Sequence, residues 1–414
     1  MILFYRFLLV TRGIKNQFNY NQTRSLVNIK LKLVKDPVLD NVVAGGWELK
    51  ATCILVSMIA SDPCHCLPIY RLNRRIGQLG IPNDLKVATF IRRYPNIFEE
   101  LSCLDSAGTP VPWFKLTPEA EMLHQEEGSV MHSCYVDLVQ RLQKFLMLTK
   151  SRILPLQTID QLKWDLGLPH DYSETLIKNH PDLFSLVRLP DDRDGLKLVK
   201  WDWSLAVSHL EKSSAKENRT RLAFPIGFMR GFGLKRKCMK WLEEWQMLPY
   251  TSPYVDASHL DPRTDVSEKR SVGVFHELLH LTIQKKTERS NVSNLRKPLA
   301  LPQKFTKVFE RHPGIFYISR KGDTQTVVLR EAYDRDRLIE KHPLAEIRDK
   351  YATMMRKGFL DRSRGLYKDA NADHRQDVSG GLKENKMEIY ESEEDSELDI
   401  ISDYDSDETT DHCC

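Results

Sequence analysis

Leu79-Gly-Ile-Pro82 leading to Tyr94-Pro-Asn-Ile-Phe98, Leu166-Gly-Leu-Pro169 leading to His180-Pro-Asp-Leu-Phe184, and Leu299-Ala-Leu-Pro302 leading to His312-Pro-Gly-Ile-Phe316 are one phrase written three times. The two prolines of each copy stand 13, 12 and 11 residues apart. Recurrence on this scale means one supersecondary unit used repeatedly. The flanks repeat too: Phe145-Leu-Met-Leu-Thr149 matches Leu278-Leu-His-Leu-Thr282. Apolar stripes then lead into each phrase (Leu72, Ile76, Leu79; Ile159, Leu162, Leu166; Val292, Leu295, Leu299), at spacings of three and four that share a helical face.

Between the prolines lies another short amphipathic stretch (Leu85, Val87, Phe90, Ile91; Tyr172, Leu176, Ile177). Proline suits a first helical turn and disfavours helix in the residue before it. Pro82, Pro169 and Pro302 are therefore expected to start this helix, and Pro95, Pro181 and Pro313 to follow its end. Two β-rich runs come next, Phe184–Val187 with Leu196–Val199 and Ile315–Ile318 with Thr326–Leu329, separated by turn residues and read as hairpins. A helix such as Pro118–Leu123 closes the unit. The order predicts an α+β, predominantly helical chain with three tandem winged-helix-like units at about 48–130, 131–212 and 265–345. Such units serve nucleic acids and protein contacts alike, so order alone does not choose between them.

Charge is sharply segregated. From Glu384 to Cys414 there are 13 acidic residues and one basic, Lys386. The remaining 383 residues carry 60 basic against 44 acidic side chains, a net of +16 hidden inside the chain's +4. That imbalance suggests a polyanionic partner for the body and a solvated, disordered acidic tail at 366–414. Before Asp36 no residue is acidic, while Arg6, Arg12, Lys15, Arg24 and Lys30 are basic and Phe4, Tyr5, Phe7, Leu8 and Leu9 apolar. This composition predicts an organelle transit peptide over 1–30, and its single serine favours mitochondrion, with chloroplast as the alternative. No uninterrupted apolar run reaches the roughly 18 residues of a membrane span, so no membrane insertion is expected. The eight cysteines form no disulfide framework or zinc knuckle, so no cofactor is expected.

His276-Glu-Leu-Leu-His280 matches the zinc-protease motif, with Glu277 as general base. Ile283 and Lys286 stand where the longer form of that motif needs Gly and His. The repeat also superposes His276 and His280 on Gln143 and Met147, which favours a structural helix. No catalytic or metal-binding residue is therefore expected, and zinc proteolysis stays as the alternative reading. The basic features carry more. Arg219, Arg221, Arg230, Lys235, Arg236, Lys237 and Lys240 fall in a stretch with no acidic residue, interleaved with Phe224, Phe228, Phe232 and Trp241. Cations neutralise phosphates and aromatic faces stack unpaired bases. The competing reading places the large aromatics in the core. Arg92-Arg93, Lys269-Arg270 and Arg320-Lys321 are further candidate RNA contacts.

Several stretches together resemble the plant organelle RNA recognition domain family. They are Lys35-Asp-Pro37, Leu166-Gly-Leu-Pro169, Phe224-Pro-Ile-Gly-Phe228, Leu248-Pro-Tyr-Thr-Ser-Pro-Tyr254, Glu268-Lys-Arg270, His276 to Thr282, Arg311 to Ser319, Val328 to Tyr333 and His342-Pro-Leu344. The resemblance spans about 31–365. It implies a non-enzymatic, nuclear-encoded organellar protein that binds intron RNA and promotes group II intron splicing. Other splicing factors in a ribonucleoprotein are further partners it suggests. A protein-interaction scaffold is the remaining alternative.

Overall fold

A computed structural model describes residues 25–27, 31–104, 108–218, 221–228, 232–322 and 324–363. The longer helices are α1 (Pro37–Val43), α2 (Gly46–Ala60), α3 (Pro118–Ser133), α4 (Tyr135–Met147), α5 (Leu156–Leu166), α6 (His209–Lys216), α7 (Arg236–Gln246), α8 (Asp265–Leu281) and α9 (Pro343–Ser363). Besides a two-stranded ribbon, Tyr333–Asp334 with Arg337–Leu338, the strands form three three-stranded antiparallel sheets. Unit 1 holds β1 (Cys66–Pro68), β2 (Phe98–Leu104) and β3 (Pro110–Leu116); unit 2 holds β4 (Ile153–Pro155), β5 (Phe184–Arg188) and β6 (Asp194–Leu198). Unit 3 holds β7 (Lys286–Glu288), β8 (Phe316–Ser319) and β9 (Thr326–Leu329). Their orders are β1-β3-β2, β4-β6-β5 and β7-β9-β8, one topology three times.

The repeated phrase works through its backbone. Gly80, Gly167 and Ala300 all adopt left-handed geometry, with φ of 67°, 77° and 51°. A left-handed residue after a helix lets the next N–H reach back to a free carbonyl. Leu168 N–H donates to Lys163 O and Leu301 N–H to Arg296 O, each at 2.9 Å. The second half of the phrase is equally uniform. The carbonyls of Tyr94, His180 and His312 each accept two N–H groups, from the residues three and four positions on. That turn delivers Phe98, Phe184 and Phe316 into the hairpin's first strand with 4%, 2% and 0% exposure.

One expectation is corrected and one element is added. Pro82, Pro169 and Pro302 do not start the next helix. Each proline carbonyl accepts an N–H from three residues on (Leu85, Tyr172, Phe305), closing a turn first. The helices follow at Val87–Ile91, at a π-helical turn Ser173–Ile177, and at Lys307–Arg311. The addition is the first strand of each sheet, three residues long and too short to show a period. A non-glycine residue with positive φ precedes each of these strands: His65 (50°), Arg152 (57°) and Lys285 (51°).

Units 2 and 3 share one continuous core, from Leu138 to Ala345. Unit 1 builds its own around Leu55, Ile59, Phe90 and Phe114. Helix α9 joins them, giving Leu344 and Ala345 to the first core and Ile347, Tyr351 and Met355 to the second. The span Pro37–Ala60 is long and apolar enough to cross a membrane, with a mean hydropathy of 1.5. It is broken between α1 and α2, and Leu55, Val56 and Ile59 are fully buried within the protein. Within the stretch read as a transit peptide, Ser25 bridges Thr264 and Leu26 N–H donates to Arg263 O at 2.8 Å. Most of 1–30 and all of 366–414 lie outside the described residues.

Candidate nucleic-acid interface

The His-Glu-x-x-His stretch sits on α8, a helix buried on nearly every side. Nε2 of His276 and of His280 both approach Glu331 Oε1, at 2.6 and 2.8 Å. The imidazole of His209 stacks on that of His280, centroids 3.5 Å apart. His209, His280 and Glu331 bring donor atoms within 4.8 Å of one another, a set able to hold a divalent ion. Glu277 is committed elsewhere. Its carboxylate pairs with Lys144 Nζ at 2.6 Å and accepts bonds from Tyr254 OH and His209 N–H, both at 2.6 Å. The carboxylate that a peptidase would use as general base is therefore held in an ion pair, and the hydrolytic arrangement is not assembled.

Two predicted phosphate contacts are overturned by burial. Lys269 is fully enclosed, and its ammonium donates to Gln246 O at 2.8 Å and Leu248 O at 2.7 Å. It closes the carbonyl end of α7, and burial lowers its pKa to about 8. Arg270 is 7% exposed beside Leu299 O. Trp241 is also interior, 3% exposed, between the Arg311 guanidinium and the His312 ring, so no base can reach its face. Phe224, Trp241 and Trp245 are core anchors, with Trp245 wholly buried, while Phe228 and Phe232 are half-buried and pack on each other, ring centroids 4.5 Å apart.

The remaining candidates reach solvent. Lys235 precedes α7, and Arg236, Lys237 and Lys240 on the helix are all exposed, while Trp241 and Trp245 are buried. The charge order of α7 runs against its dipole: cations at the start, Glu243 and Glu244 near the end. Helices ordinarily favour the reverse, by about 0.3–1 kcal/mol per charge. Three cations at a positive helix end concentrate potential suited to an anion. Arg320 and Lys321 are exposed at the β8–β9 turn. Arg221 is exposed beside Met247. Arg92 makes a two-pronged pair with Glu100, at 2.7 and 2.6 Å, and Arg93 is half-buried. Arg219 and Arg230 lie outside the described residues.

A domain described as the plant organelle RNA recognition domain matches residues 34–360. The chain belongs to that family. It is 37% identical over 349 residues to What's this factor 9, mitochondrial, of Arabidopsis thaliana, covering 83% of this chain and 89% of that protein. To What's this factor 1, chloroplastic, of Zea mays it is 29% identical over 385 residues, covering 90% and 76%. To Root primordium defective 1 of Arabidopsis thaliana it is 29% identical over 358 residues, covering 81% and 87%. No solved structure matches. Inside this plant organelle RNA recognition domain the sequence pattern marks no residue on the sheet of unit 2 or just beyond it, where Lys197 stands on β6 and Lys200 and an 81%-exposed Trp203 follow. Alternation in Trp201-Asp-Trp203 is the one local signal for it.

Proposed function

We propose that this chain is a non-enzymatic RNA-binding protein of plant organelles, of mitochondria first and chloroplasts as the alternative, that promotes group II intron splicing. Its three units act as winged-helix-like modules that hold an intron fold the ribozyme needs, alongside other splicing factors. Family membership and the mitochondrial name of one relative support the compartment and the RNA class. The observation that carries direct RNA contact is the inverted charge order of α7. Lys235, Arg236, Lys237 and Lys240 face water at the N-cap and in the first half of α7, where the helix dipole disfavours cations. Arg320, Lys321, Arg221, Arg92 and Arg93 extend the contact set, weighted down for Arg92 by its pair with Glu100.

The test is binding of purified protein to organellar intron RNA across a salt series. Each single-strand phosphate contact contributes about 0.7 to the slope of log affinity against log salt. Reversing Lys235, Arg236 and Lys237 to Glu should lower the slope by about 2 and weaken binding at low salt. Affinity indifferent to salt, or to that triple reversal, would sink direct phosphate contact through α7 and favour a protein-interaction scaffold. RNA co-purification from isolated mitochondria and plastids names the transcripts and the organelle.

A further inference from the structure

The three sheets have the same register, so equivalent positions can be compared across units. On one face, unit 1 aligns Cys66, Lys115 and Glu99; unit 2 aligns Ile153, Lys197 and Ser185; unit 3 aligns Lys286, Val328 and Tyr317. In unit 3 the face is covered: Val328 and Tyr317 are buried against Leu39 and Val43 of α1. In unit 1 its cation is neutralised, since Lys115 pairs with Glu99 at 3.0 Å. Unit 2 has neither arrangement. Lys197 is exposed and has no carboxylate partner among the described residues.

The segment that follows β6 is aromatic. Trp203 is 81% exposed, the most exposed of the large apolar side chains described. Its ring meets Trp201 edge-on, centroids 5.7 Å apart at 65°. The Arg152 guanidinium lies over the Trp201 ring, 4.9 Å from its centroid. Arg152 is the left-handed residue before β4, so the backbone itself fixes where this cation leaves the chain. Asp202, the acid between the tryptophans, is turned onto Ser204, accepting from its N–H at 2.8 Å and its hydroxyl at 2.7 Å. Exposed Lys200 directly precedes the pair in the chain. A large indole left in water forfeits the burial that normally holds it in a fold. A rigid, exposed π face ringed by cations is what stacking of unpaired bases requires, because each base offers a π face while its phosphate seeks a cation.

We propose that this outer face of unit 2 is a single-strand RNA platform, Trp203 stacking an unpaired base while Arg152, Lys197 and Lys200 hold the adjoining phosphates. The proposal rests on the RNA-binding reading above and narrows it to unpaired segments. The probes are a labelled 12-nucleotide oligouridylate and a mixed-sequence RNA duplex, titrated into the full chain. Trp203→Ala should weaken oligouridylate binding about tenfold with the salt slope unchanged, since a stacked base and no phosphate contact is lost. Trp203→Phe should restore most of the affinity, and duplex binding should change less than twofold. Lys197→Glu should lower the slope by about 0.7. Wild-type affinity in Trp203→Ala, beside a loss in the Lys235, Arg236 and Lys237 reversal, would overturn the platform and leave the RNA-binding reading standing; the exposed indole would then be a protein contact. Failure of the wild-type chain to bind any RNA would overturn both.

Discussion

Units 2 and 3 share a strand order, a left-handed residue before the first strand and the same capped turn, yet they use their charges in opposite ways. At the equivalent left-handed positions, Arg152 reaches out to stack on Trp201, whereas Lys285 turns inward and donates to His280 O at 2.5 Å. Unit 3 lies against residues from every side. The 221–254 segment supplies the carbonyls that hold Lys269, α4 supplies the Lys144 that pairs with Glu277, and α1 covers the sheet. Charge in unit 3 has become internal structure, and charge on the sheet of unit 2 still faces water. A repeated frame thus fixes where side chains start, and the neighbours decide what they are for.

The sharpest way to break that comparison is to remove one cation from each unit. Lys269→Ala strands the carbonyls of Gln246 and Leu248 and opens a cavity, and should cost about 3 kcal/mol of unfolding free energy. Lys197→Ala on the exposed face of unit 2 should stay within about 0.5 kcal/mol. Chemical denaturation midpoints measure both, and equal losses would erase the distinction. The repeated helix end offers a second contrast. At Gly167 a Cβ would meet Ile283 Cγ1 at 2.7 Å on a left-handed backbone, so Gly167→Ala should cost about 2 kcal/mol. At the third copy, Ala300 already bears that backbone strain on an exposed position, and Ala300→Gly should gain about 0.5 kcal/mol.

The smallest effect is a pH slope. Burial first, and then repulsion from Arg141, holds Lys285 at about 8, below the usual lysine value. Between pH 8 and 9.5 the unfolded chain binds this proton more than the native one, so stability rises with pH. The gain is about 1 kcal/mol, under the ceiling of about 1.4 per pH unit. Lys285→Gln should lower the slope by its own share and leave that of Lys269 and Lys286, which burial also holds at about 8, and an unchanged slope would return Lys285 to the surface class of Arg152. Above pH 10 the trend reverses, because buried tyrosines such as Tyr254 keep their protons only in the fold.

Much of the frame was legible beforehand. The hairpins of units 2 and 3 and the helices leading into each phrase follow from spacing, and the superposition of His276 and His280 on Gln143 and Met147 set the motif on a structural helix; that His276, Gln143 and Met147 are buried came from the packing. Three-residue strands carried no period to read. The candidate contacts divided according to burial. The basic residues of α7 stand in water, while Lys269 and Arg270 look identical to them in one-letter code and are enclosed. Trp241 stood among the candidates and is enclosed, whereas Trp203 was not singled out and stands in water. An aromatic among cations suits a core anchor or a stacking platform equally well until its neighbours are known.

The sequence by itself determined the repeat, the left-handed turns that follow from Gly and Pro, the charge segregation and the family, because these depend on local backbone geometry and composition. Only the tertiary structure decided which copy faces water. Exposure is a property of what packs alongside, and α1, α4, α7 and α9 reach across the units from distant parts of the chain.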